Sequence, residues 1–277
     1  MTSFEFAKLR IVKDGGVATV TIDNPPVNVL DVGLMSEISR FLVSVRGDEE
    51  TRVIVFDSAD PEFFIAHVDM TLIDEPNAFD ELAQDAPEGL NPFQAFGELL
   101  RSQPQVTIVK LAGFARGGGA ELVAAADMAF AAEGRAGLGQ CEALMGITPG
   151  GGATQYLGTR MPRSRALEVV LGADLFDART AERYGWVNRA LPADQIDDFV
   201  ARLARQIAAL PPGVIAAAKA ALPPTDLREG LGREHAAWAG LFARPAAEAL
   251  IRGGLKAGAQ SKAGERDLEG LLRDLSI

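Results

Sequence analysis

The feature that most restricts how this chain can fold lies at residues 105–127. A continuous apolar segment, QVTIVKLAG at 105–113, runs through FAR into three consecutive glycines, Gly117, Gly118 and Gly119, and at once into AELVAAADM. A buried strand, a sharp backbone turn and a helix must therefore follow one another without a linker, since glycine alone lets the backbone turn this abruptly. RVIVFDS at 52–58 and MAFAA at 128–132 are two further apolar runs, of the kind expected of strands covered on both faces. The order is that of a mixed α/β chain built from repeated strand–strand–helix units with a helical tail.

The remaining segments fit that frame. LRIVK, the turn DGG at 14–16 and VATVTI predict a hairpin. NPPVNVLD at 24–31 is an extended loop whose Asp31 can cap a helix running to about Val45. Residues 75–91, acidic and rich in Pro and Asn, read as a mobile surface loop. Helices are expected near 92–102, 152–171 and 177–184, a strand at 186–191, and Ala/Leu-rich helices from about 192 onward.

Composition excludes several classes of function. A net charge of −11 argues against nucleic acid, whose phosphates need a basic field. The N-terminal sequence contains acidic residues and lacks an apolar run, and no stretch approaches a membrane span, so a cytoplasmic location without membrane insertion is expected. The single cysteine, Cys141, cannot form an intrachain disulfide, and His67 and His235 stand in no metal-ligand spacing, so no metal is expected. Chemistry falls to carboxylates, hydroxyls and backbone.

The glycine turn offers one such site. The first N–H groups of a helix have no internal partner and carry its positive dipole end, which suits an anion or a developing oxyanion. As a phosphate loop the stretch fits poorly, because Gly119 stands where GxxxxGK requires lysine. Glu121 follows Gly118 by three residues, on the same helix face, where a carboxylate can move a proton at whatever binds; a dipole-favouring acidic residue is the plainer reading. In LGQCEALMGITPGGGAT at 138–154, Glu142 stands among small and apolar residues, a setting that raises a carboxylate pKa and makes a general acid.

Together these segments resemble the crotonase (enoyl-CoA hydratase/isomerase) superfamily over about residues 8–215. NPPVNVLD is similar to the family's NPPxNAL segment and FFIAHVD at 63–69 to its F-x-AGAD loop. GFARGGGAELVAAAD at 113–127 resembles its GGG-x-E-L core, and GQCEALMGITPGGGATQYL at 139–157 its GQPE…P-GGGGTQ segment. The last two are specific.

The resemblance implies a crotonase-like (ClpP/crotonase) spiral of ββα units with two roughly perpendicular sheets in residues 1–200. Residues 201–277 would form a helical region that packs on neighbouring subunits in a homotrimer or hexamer. It further implies an acyl-CoA substrate, with coenzyme A entering as part of it and no separate cofactor. Val68 and Gly118 would supply the oxyanion N–H groups, with Ala66, His67, Asp69, Gly117, Val27 and Val29 around the substrate. Glu121 and Glu142 match the two glutamates that the family's hydratases place around water and the α-carbon. Family isomerases usually keep no carboxylate at the position of Glu121, so the pair favours a 2-enoyl-CoA hydratase. A Δ3,Δ2-enoyl-CoA isomerase or another crotonase-type thioester reaction is the alternative. A non-catalytic acyl-CoA-binding protein is the alternative of another class, since fold alone does not guarantee chemistry. Departures are His67 in place of glycine, Cys141 in place of proline, and Arg116 at a usually small position, open either to a charged acyl group or to a surface acid.

Overall fold

The computed structural model describes residues 5–275 and opens with the expected hairpin, β1 (Leu9–Asp14) and β2 (Val17–Ile22), closed through Gly15 and Gly16 at positive φ. Strands β3 (Val53–Ser58), β5 (Val106–Leu111), β7 (Met128–Ala132) and β10 (Arg189–Leu191) extend it in parallel into a six-stranded sheet, ordered β1-β2-β3-β5-β7-β10. Between these visits the chain lays down β4 (Phe63–Ile65), β6 (Phe114–Arg116), β8 (Gly137–Gly139) and β9 (Phe176–Asp177) as a second sheet, ordered β4-β6-β8-β9. Alternation between the two sheets, each return made through helix or turn, is the spiral.

The apolar runs are buried on both sides, as a continuous pattern requires. Ile54 and Phe56 of β3 join the main core with α1 (Val32–Val45), while Val53 and Val55 face Ile196, Val200, Ala204 and Ala208, spaced four apart on α8 (Ile196–Ala208). Asp31 caps α1 by accepting the Leu34 N–H at 2.7 Å.

Three expectations need correction. The stretch 75–91 is not wholly a loop: α2 (Asp80–Gln84) forms there, because Phe79 and Leu82 pack on the core and Phe79 meets Phe93 at 4.7 Å between ring centres. The helix expected at 152–171 is two, α5 (Ala153–Arg160) and α6 (Arg163–Gly172), broken before Pro162, where proline disfavours helical backbone in the preceding residue. The strand at 186–191 shrinks to β10, since Trp186 and Val187 turn into the core beside α7 (Ala178–Tyr184).

The glycine turn sits between β6 and α4 (Gly118–Ala125), and α3 (Pro92–Arg101) packs beside α4. After α8 come α9 (Val214–Ala221), α10 (Arg228–Phe242), α11 (Pro245–Ala257), α12 (Lys262–Glu265) and α13 (Leu268–Arg273). They double back over the core: α10 lies on α5, and α11 lies on 3-10 turns at Met70–Asp74 and Glu142–Met145. Met70, Cys141, Met145, Ile251, Leu268 and Leu272 form the apolar seam of that contact. Cys141 is thus a small buried hydrophobe whose thiol burial pushes well above the ordinary range. Among the described residues no helix is long and apolar enough to cross a membrane.

Candidate active site

The loop carrying Val68 is built from NPPVNVLD outward. Asn28, at φ 53°, adopts the left-handed conformation that asparagine tolerates better than most residues. Its amide Nδ2 donates to Ser58 Oγ and to the Phe63 and Phe64 carbonyls, and its Oδ1 accepts the Asn24 N–H at 2.7 Å. Leu30 then grips the next loop: its N–H donates to the His67 carbonyl at 2.8 Å, and its carbonyl accepts the Asp69 N–H at 3.2 Å. In that parallel bridge the flanking residues bond to Leu30, so the Val68 N–H points to the opposite side.

Gly118 faces Val68. Gly117, at φ 48° and ψ −123°, makes the turn, and its N–H donates to the Gly139 carbonyl at 3.0 Å. Gly118 opens α4, so its N–H has no intrahelical acceptor. Neither the Val68 nor the Gly118 N–H is a donor in the loop and cap hydrogen bonds of the described residues. Side chains are excluded here by space: a methyl group on Gly118 would lie 2.7 Å from Val68 Cγ2, and one on Gly119 2.4 Å from the Ile65 carbonyl.

Both glutamates converge on this turn. A methyl group on Gly117 would meet Glu142 Oε1 at 2.8 Å, and one on Gly118 would lie 3.9 Å from Glu121 Oε2. Glu121 Oε1 accepts the N–H groups of Gly151 at 2.9 Å and Ala153 at 3.2 Å, so α5 and the PGGGAT segment aim it. Gln140, its NH2 turned toward Glu142, lies 3.0 and 3.2 Å from the two carboxylate oxygens. Burial, followed by the charges of Glu142 and Glu234, raises Glu121 well above the usual carboxylate range. Burial likewise raises Glu142 to about 7, with Glu234 adding to the shift and His67 opposing it.

Glu234, on α10, had no motif to mark it. It accepts the Gly152 N–H at 2.6 Å, the Thr154 N–H at 2.9 Å and hydroxyl, and Gln94 Nε2 at 3.3 Å.

The other expected substrate residues are placed differently. Val27, Val29, Ala66 and Phe63 form a small apolar cluster behind the loop, and the Ala66 N–H donates to the Val27 carbonyl at 3.2 Å. Asp69 is engaged by Thr71 and by Gln260 Nε2 at 3.0 Å. His67 is buried, with Nδ1 2.6 Å from the Val68 carbonyl and Nε2 2.9 Å from Glu265 Oε1. Burial opposes a charge on the ring, but Glu265 and the Val68 carbonyl together raise the pKa above the usual histidine value. Arg116 is also fully buried; it donates to both oxygens of Glu269, at 2.6 and 3.0 Å, and lies 3.5 Å from Glu265. Its partners are thus buried acids of the C-terminal helices, neither a surface acid nor an open acyl pocket.

The family model for enoyl-CoA hydratase/isomerase matches residues 12–262. The carnitinyl-CoA dehydratases of Proteus mirabilis (strain HI4320) and Escherichia coli (strain K12) are 31% and 30% identical over 211 residues, 76% of this chain and 78% of theirs. A Streptomyces avermitilis crystal structure, of a protein to which enoyl-CoA hydratase activity is ascribed, matches at TM-score 0.96 and 64% identity over 97% of this chain and 98% of that one. The Bacillus anthracis enoyl-CoA hydratase structure matches at TM-score 0.71 and 26% identity, over 90% and 95%. Two sheets wound as one spiral, a glycine turn between them and glutamates at both glycine-rich segments agree with these matches, and the chain belongs to the enoyl-CoA hydratase/isomerase family.

Proposed function

We propose that this enzyme adds water reversibly across the 2,3 double bond of a 2-enoyl-CoA thioester. One observation carries the reading: two buried carboxylates from different elements, Glu121 and Glu142, meet at the same glycine turn. A 1,3-proton shift needs one base, whereas hydration needs one group for the water and one for carbon. The dehydratase names of the curated relatives support the same chemistry in reverse.

In this reading the thioester oxygen accepts from the Val68 and Gly118 N–H groups. Glu121, aimed by two backbone N–H groups at the start of α5, is the carboxylate that faces the water. It takes a proton from water as the water oxygen bonds to Cβ. The electron pair of the double bond moves onto the thioester oxygen as an enolate, a charge for which each oxyanion N–H is worth about 3–4 kcal/mol. Glu142, titrating at about 7, delivers its proton to Cα, and the enolate collapses to the 3-hydroxyacyl-CoA.

The test is turnover of a short trans-2-enoyl-CoA and of its 3-enoyl isomer by wild type, Glu121→Gln, Glu142→Gln and the double variant. Each single change should slow hydration by about 10²–10⁴-fold, and the double variant should be little worse than the poorer single, because the two act as a unit. Isomerisation that survives Glu121→Gln but not Glu142→Gln would replace hydration by a one-base mechanism. A pure binder would hold acyl-CoA with no turnover in any form.

A further inference from the structure

We propose that Glu234 is a positioning residue of this active site, a fixed carboxylate from the C-terminal helical region that shares the first N–H groups of α5 with Glu121 and thereby sets both its orientation and the charge behind it. The inference rests on the reading of Glu121 as the water-activating carboxylate.

The geometry alternates along one segment. The N–H groups of Gly151 and Ala153 donate to Glu121, and those of Gly152 and Thr154 donate to Glu234. Successive amides at a helix start are orphan donors, and two carboxylates from helices more than a hundred residues apart divide them between their two sides. Neither acid can shift without freeing amides that the other helps to orient. Space is closed as well: a methyl group on Gly151 would fall 2.2 Å from Glu121 Oε2, and one on Gly152 would meet the Tyr156 ring at 2.3 Å.

The donor sets differ. Glu234 has four donors, Gly152 N–H, Thr154 N–H, Thr154 Oγ1 and Gln94 Nε2. Glu121 has two, both on Oε1, which leaves Oε2 without a donor among the described residues. A carboxylate with more donors keeps its charge at lower pH. Burial raises Glu234 above the ordinary carboxylate value, but its four donors oppose that shift, and Glu121 and Glu142 titrate in its field. The groups facing the cluster are Glu121 from α4, Glu142 from its 3-10 turn, the Tyr156 hydroxyl from α5 and His67 beside Glu142. Glu98 and Arg101 of α3 lie beyond Tyr156 and pair with each other at 2.5 Å. No salt bridge reaches Glu121, Glu142 or Glu234 from a described residue. The Glu234 charge raises both neighbours, and a like charge within a few ångströms in buried surroundings typically moves a titration by about one pH unit or more.

The experiment compares wild type, Glu234→Gln and Glu234→Asp in two measurements. Infrared titration of the free enzyme follows the carbonyl stretch of buried protonated carboxyl groups and needs no substrate. The pH profile of kcat/KM is taken on a short trans-2-enoyl-CoA. Glu234→Gln keeps the shape and loses the charge, so the midpoint of the Glu121–Glu142 pair should fall by about one unit and both limbs of the rate profile should move to lower pH by the same amount. Glu234→Asp keeps a carboxylate but is too short to hold both amides, so kcat should fall at least tenfold with KM little changed, and the midpoint should move less than in Glu234→Gln. If the Gln variant does not fold by circular dichroism, Thr154→Val serves instead. It removes one donor from Glu234, weakens the fixed charge and should move the midpoint the same way by less. An unchanged infrared midpoint in the folded charge-removing variant overturns the proposal, whatever the rate does. Wild type inert toward the enoyl thioester would instead overturn the hydratase reading, and the infrared midpoint would still decide the role of Glu234.

Discussion

Glu142 ties catalysis to stability in one side chain. It is buried, has no salt bridge among the described residues, and titrates at about 7 against an ordinary 4.5. The protonated form is the one the fold prefers. Its contribution is complete below the unfolded value near 4.5 and is lost as pH rises through about 7. An upward shift of that size corresponds to about 3 kcal/mol of destabilisation at pH well above 7. Glu142→Gln abolishes the charge while keeping the shape, so urea unfolding should show a gain of about 2–3 kcal/mol at pH 8.5 that vanishes by about pH 5. The same variant should be nearly inactive. Equal stability of the two proteins at both pH values would mean that the carboxylate is solvated and ill suited to deliver a proton at neutral pH.

At the scale of elements, the C-terminal helices hold the loop that carries Val68. Gln260 accepts the Met70 N–H and donates to Asp69, Glu265 bonds His67, and Glu269 accepts from Nε and Nη2 of Arg116. The turn from β5 through β6 to α4 was legible because its causes are local: an apolar run, glycines where no Cβ fits, and helix formers directly after. The hairpin and the Asp31 cap were legible for the same reason. The partner of His67 was not, since Glu265 lies 198 residues away in a helix of four residues with no pattern to mark it. Glu234 escaped for a related reason: its role depends on α10 folding back onto α5. Arg116 allows a direct check. Removing one partner of a buried ion pair leaves the other uncompensated and typically costs about 3–5 kcal/mol, whereas replacing both by apolar groups of similar size is often near neutral. Arg116→Met should therefore lower the unfolding free energy by about that amount, and Arg116→Met with Glu269→Met should recover most of it. Equal losses in the single and double variants would show that packing, not charge pairing, holds the helices down.

Over the whole molecule, the helical region is unevenly used. α10, α11 and α13 bury side chains against the core, but α9 buries none, although its sequence is VIAAAKAA. Ile215 packs on the core cluster and Lys219 ties α9 down through Asp127 at 2.6 Å and the Gln105 carbonyl at 2.9 Å, while Val214 at its start and Leu222 at its C-cap are 41% and 81% exposed. Single exposed apolar residues are common, but α9 lends only Ile215 to the core and leaves two large apolar side chains at its two ends in the open. We expect this face to be covered in a homotrimer or hexamer, in line with the assembly that the family resemblance implies. Each large apolar side chain withdrawn from water contributes about 1.5–3 kcal/mol, and three-fold repetition multiplies the effect within one particle. Sedimentation velocity at micromolar concentration should therefore give a trimer or hexamer for wild type. Val214→Glu with Leu222→Glu should shift it to monomer and lower the Tm, because charges there would be desolvated unpaired. A wild-type monomer would remove the assembly altogether. A double variant that assembles as wild type does would place the subunit contacts elsewhere and leave α9 a solvent-facing helix.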